Sequence, residues 1–403
     1  KLGDVLAPEQ IDALALCVHA EDRGREAFLI ADGAGVGKGR TVTALASRSA
    51  MQGRKVILLT EREINLSDLM RDWKHLGFSD RIRVGVINDG AKLIDEDTGQ
   101  PFTVADAQVM KEAIEAGEWP SGVDVVIGTY SQFNRAPEES ARVRWLHAIA
   151  ERDSNNFDLI LDESHNAVGE SRTAENIASA IDAARFVVFS SATFAANPEQ
   201  MASYERLFPK SISADEIVAM MRKGGEPFQE AVSSMLVADG VMVRREQDLS
   251  KISFSQVTDE ARLERNREYA DRLAEIITEL AALSGEIDSW IDQNRRGWLR
   301  KVSVNRMGLG TPLYRIQRLF SAALLAEFTA ERAVEALKAG KKPVILVDNT
   351  LQAVLEDAAA KGTVPTFKSV LHRILNQVVR VRYVDANGNE AEINAANDRH
   401  ISE

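Results

Sequence analysis

The residues Asp32-Gly33-Ala34-Gly35-Val36-Gly37-Lys38-Gly39-Arg40 set glycines at alternate positions ahead of a lysine. Glycines at 33, 35 and 37 let backbone N–H groups turn toward one point, the dipole of a following helix adds positive potential, and Lys38 supplies a mobile charge. That combination cradles a polyphosphate, which makes Gly33, Gly35, Val36, Gly37, Lys38, Gly39 and Arg40 the candidate nucleotide-binding residues. The usual phosphate loop carries Ser or Thr directly after the lysine as a Mg²⁺ ligand, whereas Gly39 stands there. Thr41 lies about 200° further around a helix and is a candidate helper only. Mg²⁺ must then lean on an acidic side chain elsewhere, on phosphate oxygens and on water. Arg40 faces either solvent or phosphate.

About 120 residues downstream, Leu159-Ile160-Leu161-Asp162-Glu163-Ser164-His165 is an apolar run ending in two carboxylates. A small hard cation held by phosphate oxygens takes one more carboxylate, which suits Asp162. Glu163 would polarise the water that attacks the γ-phosphate. An Asp/Glu pair capping a loop is the bland alternative. Ser190-Ser191-Ala192-Thr193 ends the next apolar run, so the hydroxyls of Ser191 and Thr193 would sit beside His165, relaying nucleotide state or simply terminating a strand.

These stretches need a scaffold that brings them to one edge. Short apolar, β-branched runs alternate with helical patterns over the first 200 residues, the signature of a parallel sheet with crossover helices. The candidate strands are Phe28–Ala31, Lys55–Thr60, Val84–Ile87, Asp124–Gly128, Leu159–Asp162 and Phe186–Ser190, with helical patterns at Thr41–Gln52 and Leu66–Leu76. Their nearly continuous apolar character fits strands buried on both faces. Residues 89 to 121 break the rhythm around one helical pattern, Val104 to Gly117, and read as an insertion. Leu263, Leu273, Ile276, Leu280, Ile287 and their neighbours recur at three- and four-residue spacing, giving a long amphipathic helix over Asp259–Arg296, with a break expected at Gly285. A second helix spans Leu313–Leu337, a strand follows at Pro343–Val347, and a hairpin turn falls at Asn387-Gly388.

The 403 residues suit two or three domains. With 45% apolar and 27% charged residues they read as an ordinary globular chain, excluding collagen, rod and wholly disordered classes. The formal charge of −12 means that any nucleic-acid contact must come from local clusters. A single cysteine, Cys17, excludes an internal disulfide and fits a reducing compartment, expected to be the cytoplasm. No apolar run approaches the length of a membrane helix. A chain beginning at Lys1 without Met reads as a piece of something longer.

In this order and spacing, the phosphate loop, Asp162-Glu163-Ser164-His165 and Ser191-Ala192-Thr193 resemble motifs I, II and III of superfamily 2 helicases and translocases. The run Phe28 to Thr41 is closer still to the Strawberry notch family, whose members carry Gly-Lys-Gly-Arg, so Gly39 looks like a family trait. The resemblance, of bacterial or phage type, covers residues 1 to about 350. It implies a RecA-like P-loop NTPase lobe over 1–250, a helical linker region over 251–340 and a partial second RecA-like α/β lobe over 341–403. Leu6-Ala7-Pro8-Glu9-Gln10 is similar to the family's N-terminal segment, where Gln10 would read the adenine edge. Leu59-Thr60-Glu61 with Leu69 to Trp73 is similar to motif Ia, and Gly128-Thr129-Tyr130-Ser131 to the next strand-end motif. The resemblance therefore implies nucleic-acid contacts at Thr60, Glu61, Thr129 and Tyr130. The second lobe's usual Gln/His-x-x-Gly-Arg-x-x-Arg pattern is missing after 341, where Arg373, Arg380 and Arg382 are solvated charges before they are candidates.

The implied function is an ATP-dependent helicase or translocase acting on DNA more readily than RNA. Related bacterial and phage proteins suggest a role in DNA handling. The alternative is a nucleotide-dependent switch or scaffold that binds a protein partner through the helical region. A metabolic kinase lacks an acceptor pocket, and a dinucleotide enzyme would show different glycine spacing.

Overall fold

The structure, a computed structural model, describes residues 2–33, 35–193, 198–245, 253, 255–294, 303–305, 310–346, 362, 368, 371–372, 380–384 and 390–394. The chain divides into two compact units, Lys1–Ile252 and Ser253–Glu403.

The first unit alternates helices and strands in chain order: α1 (Pro8–Asp22), β1 (Ala27–Ile30), α2 (Lys38–Met51), β2 (Lys55–Thr60), α3 (Glu63–His75), β3 (Val84–Val86), α4 (Ala107–Ala116), β4 (Val125–Thr129), α5 (Ala141–Arg152), β5 (Phe157–Asp162), α6 (Arg172–Ala183), β6 (Phe186–Ser190), α7 (Ala214–Ala238) and β7 (Met242–Val243). The strands form one seven-stranded sheet in the order β3-β4-β2-β5-β6-β1-β7, every pair parallel. All six expected strands are present, with ends moved by at most two residues. The seventh, β7, is two residues long and too short to announce itself by periodicity.

Strand residues alternate between two apolar layers. Leu29, Ile57, Leu59, Leu159, Leu161 and Phe189 face the layer completed by α4 to α7. Phe28, Ile30, Leu58, Ile160 and Val188 face the layer completed by α1 to α3. Helices on both faces explain why the strands read as unbroken apolar runs. Polar punctuation sets the helix starts: Asp106, Ser140, Ser171 and Ser213 each accept a hydrogen bond from a first-turn N–H group.

Residues 89 to 121 differ from the insertion expected. Met110, Ala113 and Ile114 of α4 are buried, and α4 is the crossover helix joining parallel β3 to β4. Only the loop pinned by the bridge Ile94–Pro101 departs from the repeating rhythm.

In the second unit, α8 (Leu263–Asn294) and α9 (Gly310–Lys338) bury Leu273, Leu280, Ile316 and Leu319. Helix α8 continues through Gly285, where its i,i+3/i+4 apolar seam outweighs a single residue's propensity cost of about 1 kcal/mol. β8 (Ser303–Asn305), β9 (Arg380–Val384) and β10 (Glu390–Asn394) form a three-stranded antiparallel sheet. Residues 343–346 carry no strand, against expectation. Asn387-Gly388, Val347 and Arg373 lie outside the described residues. Among those described, no helix is long and apolar enough to cross a membrane.

Leu58 lies fully buried in β2. We expect Leu58→Ala to cost about 2–5 kcal/mol of unfolding free energy, read as a lower urea midpoint at unchanged slope. A loss below about 1 kcal/mol would mean that this layer is loosely packed.

Candidate nucleotide site

The phosphate loop leaves the C-terminal end of β1 and enters α2 at Lys38. Gly35 and Gly37 have φ of 85° and 80°, a region open to glycine and strained for other residues. At Gly37 a side chain would also collide, because an added Cβ would lie 2.4 Å from Nε2 of Gln10. The N–H groups of Lys38 and Gly39 open α2 with no preceding helical turn to bond and so present donors to a ligand, while the Arg40 N–H bonds the Gly37 carbonyl. Lys38 is 8% exposed, and its ammonium donates to the carbonyls of Asp32 (3.1 Å) and Gly33 (3.3 Å). A charge held by main-chain carbonyls is ready to exchange them for phosphate oxygens.

Gln10 reaches the loop from the start of α1. Its Nε2 donates to the carbonyls of Val36 (3.1 Å) and Gly37 (3.2 Å), and its Oε1 accepts the Ala7 N–H at 2.9 Å. Both ends of the amide are thus engaged with protein, and Gln10 braces the loop. Arg40 is half-buried, with its guanidinium on protein partners. Its Nε donates to Asp72 at 3.0 Å, its Nη1 to the Val5 carbonyl at 3.4 Å, and its Nη2 meets His75 at 3.1 Å, so the guanidinium ties α2 to α3. Thr41 is buried with its N–H on the Gly37 carbonyl, and the Gly39 carbonyl accepts the Thr43 hydroxyl at 2.8 Å.

Asp162 ends β5, between β2 and β6. Its Oδ2 accepts the Thr60 hydroxyl at 3.2 Å and its Oδ1 the Ser190 hydroxyl at 3.1 Å. Burial pushes its pKa up, the Glu163 charge adds to that rise, and the Ser190 and Thr60 bonds and the Lys38 charge oppose it. Lys38 and Asp162 therefore stand close enough to act on each other electrostatically, two strands apart at the same sheet edge.

Glu163 has φ 50° and ψ 49°, the left-handed region, which is uncommon for a residue with a side chain and collects at functional turns. Its Oε2 lies 3.5 Å from Nδ1 of His165, which also meets the Ser191 hydroxyl at 2.9 Å. The Ser191 hydroxyl in turn accepts the Thr193 N–H at 3.2 Å. On the other side of the ring, Nε2 of His165 meets the Asn166 amide nitrogen at 3.1 Å. An amide nitrogen only donates, so in this arrangement the neutral ring carries its proton on Nδ1 and donates to Ser191.

Three of the four residues expected to touch nucleic acid are buried: Thr60, Thr129 and Tyr130. The Thr60 hydroxyl serves Asp162, Thr129 pairs with Asn88 through two bonds, and the Tyr130 hydroxyl donates to the Asp162 carbonyl at 2.6 Å. These hydroxyls shape the strand ends and leave only Glu61 at the surface. The sequence singled out Ser190 as a strand-end hydroxyl without its bond to Asp162, and left out the bonds that Thr60 and Tyr130 make to the same residue. A polar residue closing each neighbouring apolar run was the available signal.

Among the described residues no group of three or more His, Cys, Asp or Glu side chains could hold a metal ion by itself. The single Asp162 carboxylate, held by the Thr60 and Ser190 hydroxyls, fits Mg²⁺, which keeps several waters and takes one or two carboxylates alongside substrate phosphates.

Because the folded site penalises an ionised Asp162, its folded pKa lies above the unfolded value, and the charge subtracts stability at pH values above both. Asp162→Asn should then raise the thermal midpoint at pH 7.5, by about 1 kcal/mol in stability, while removing nucleotide hydrolysis. A lower midpoint would mean that the carboxylate stabilises the fold.

The family described as P-loop containing NTP hydrolase pore-1 matches residues 6–271. Among curated proteins, FORGETTER 1 of Arabidopsis thaliana is 29% identical over 367 residues, covering 85% of this chain and 26% of its own. Strawberry notch homolog 2 of Mus musculus is 27% identical over 244 residues, covering 57% and 16%, and strawberry notch of Drosophila melanogaster 26% over 278 residues, covering 62% and 15%. The chain thus spans about a quarter or less of the length of these relatives. Among solved structures, a Sulfolobus solfataricus SWI2/SNF2 ATPase core in complex with dsDNA aligns at 13% identity and TM-score 0.44, covering 93% of this chain and 69% of that one. The UvsW helicase from bacteriophage T4 aligns at 16% identity and TM-score 0.32, covering 47% and 53%. With the family match extending over more than half of its length, the chain belongs to the P-loop containing NTP hydrolase pore-1 family and is Strawberry notch-like.

Proposed function

We propose that the first unit is the ATP-binding lobe of a nucleic-acid motor of superfamily 2 type, acting on DNA in preference to RNA. The observation that carries the reading is that the phosphate loop after β1 and Asp162 at the end of β5 lie at the same edge of one parallel sheet, with Glu163 next to Asp162 in a left-handed turn. In this reading the triphosphate occupies the N-terminus of α2, and Lys38 exchanges the Asp32 and Gly33 carbonyls for phosphate oxygens. Glu163 orients a water and accepts its proton as the water oxygen bonds to the γ-phosphorus and the bond to the β–γ bridging oxygen breaks. Asp162 would hold Mg²⁺ at the phosphates, which supplies neutralisation of their charge. The His165–Ser191–Thr193 chain gives loss of the γ-phosphate a route to β6 and the loop after it. Division of the second unit into a helical linker and the start of a second lobe belongs to the same proposal, as does a cytoplasmic setting.

Burial of Thr60, Thr129 and Tyr130 favours a second reading, because it removes most of the expected nucleic-acid contacts in the first unit. In that reading the chain is a nucleotide-dependent switch whose helical second unit binds a protein.

The test measures ATP binding and hydrolysis with and without single- and double-stranded DNA and RNA. Lys38→Ala should lose ATP binding, and Glu163→Gln should keep ATP bound while turnover falls by about 10²–10⁴-fold. DNA should stimulate the wild type more than RNA does, with steep loss as salt rises. Full turnover in Glu163→Gln would remove Glu163 as the base, and binding without any nucleic-acid response would select the switch.

A further inference from the structure

Asp32 opens the phosphate loop at 1% exposure, and the chemistry above gives its carboxylate no task. Arg245, two residues past the end of β7, closes on it. Its Nε donates to Oδ1 at 3.0 Å, its Nη2 to Oδ2 at 2.5 Å, and its main-chain N–H to Oδ1 at 3.0 Å. The contact is reciprocal: the Gly33 N–H donates to the Arg245 carbonyl at 3.1 Å. Nη2 also donates to the Glu9 carbonyl at 2.6 Å, beside Gln10. The Asp32 carbonyl is meanwhile the nearer of the two acceptors that hold Lys38. One arginine thus joins the start of α1, the head of the phosphate loop and the chain leaving the sheet.

The pairing suits its position. A two-pronged guanidinium fixes a carboxylate in direction as well as in place, which a lysine cannot do. A buried carboxylate without its partner would stand uncompensated beside the hollow that has to accept a polyanion.

We propose that Arg245 is a positioning residue for the nucleotide site: it clamps Asp32, fixes the turn that carries the Lys38 acceptors, and screens the Asp32 charge from an incoming triphosphate. The inference rests on the ATP-site reading and extends it to the outgoing end of the first unit. By reciprocity, whatever weakens the hold of Arg245 on Asp32 weakens nucleotide binding, and bound nucleotide strengthens that hold.

The test is calorimetric titration of the 403-residue chain with a slowly hydrolysed ATP analogue and Mg²⁺, together with thermal midpoints. It compares wild type, Arg245→Ala, Arg245→Lys and the double variant Arg245→Ala with Asp32→Asn. Arg222→Ala, which opens a surface pair with Glu199, serves as control. We expect Arg245→Ala to weaken binding by about tenfold or more and Arg245→Lys to recover part of the loss. The double variant should recover more than half, since no bare carboxylate remains. The control should match wild type. The Lys and double variants carry the test if the Ala variant does not fold. Unchanged affinity in Arg245→Ala, or a double variant no tighter than the single one, overturns the clamp. A wild-type chain that takes up no nucleotide overturns the ATP site itself, and the clamp with it.

Discussion

At the end of β5 one carboxylate is kept in a place where burial works against its charge. Asp162 is 8% exposed, flanked by strands on both sides, and next to a second acid in the chain. Three features oppose protonation: the Thr60 hydroxyl, the Ser190 hydroxyl and the ammonium of Lys38. Two of them depend on sheet register. Asp162 lies directly across from Ser190, and the preceding Leu161 pairs with Leu59. A one-residue slip of either neighbouring strand would turn its hydroxyl to the other face. The apolar packing of both sheet layers is therefore also what sets the electrostatics of the site, and the site in turn holds charge that the fold would be more stable without.

The same economy of position governs the residues around that carboxylate. Gly35 and Gly37 supply the turn that no side chain would allow, and Gln10 fills the space that an alanine at 37 would need. Glu163 takes up a left-handed turn immediately after the strand, which sends its side chain toward His165 while Asp162 stays in the sheet. Two adjacent acids are thereby given different environments, one buried among hydroxyls and one partly exposed beside an imidazole, and separate environments allow separate roles.

Much of this was legible in the sequence, for physical reasons that also mark its limits. The strands declared themselves because both faces are covered, so Lys55–Thr60 and Phe186–Ser190 could be bounded to the residue. The loop and the acid pair were legible because few residue types can do their chemistry. Legibility failed where a residue's task depends on a partner far along the chain. Thr60 and Tyr130 were expected only as nucleic-acid contacts, and the sheet brings them to Asp162, 102 and 32 residues away in sequence. Arg40, next to the loop glycines, is drawn off by Asp72 on the neighbouring helix. Residues 89 to 121 read as an insertion because the polar loop before α4 masks a buried seam of only three residues. In the second unit the two long helices were plain from periodicity, and the antiparallel pair β9–β10 flanks the expected turn signal Asn387-Gly388, whereas β8 pairs with a strand far along the chain and left no local signature.

The central claim is that the loop and the acid pair form one preformed triphosphate site, with Lys38 waiting on main-chain carbonyls. A crystal structure of the chain with a slowly hydrolysed ATP analogue and Mg²⁺ tests it most directly. The account predicts Nζ of Lys38 moved from Asp32 and Gly33 onto the phosphates, with Asp162 still held by Thr60 and Ser190. Nucleotide bound elsewhere, or Lys38 unmoved while the phosphates lie away from Asp162 and Glu163, would contradict it.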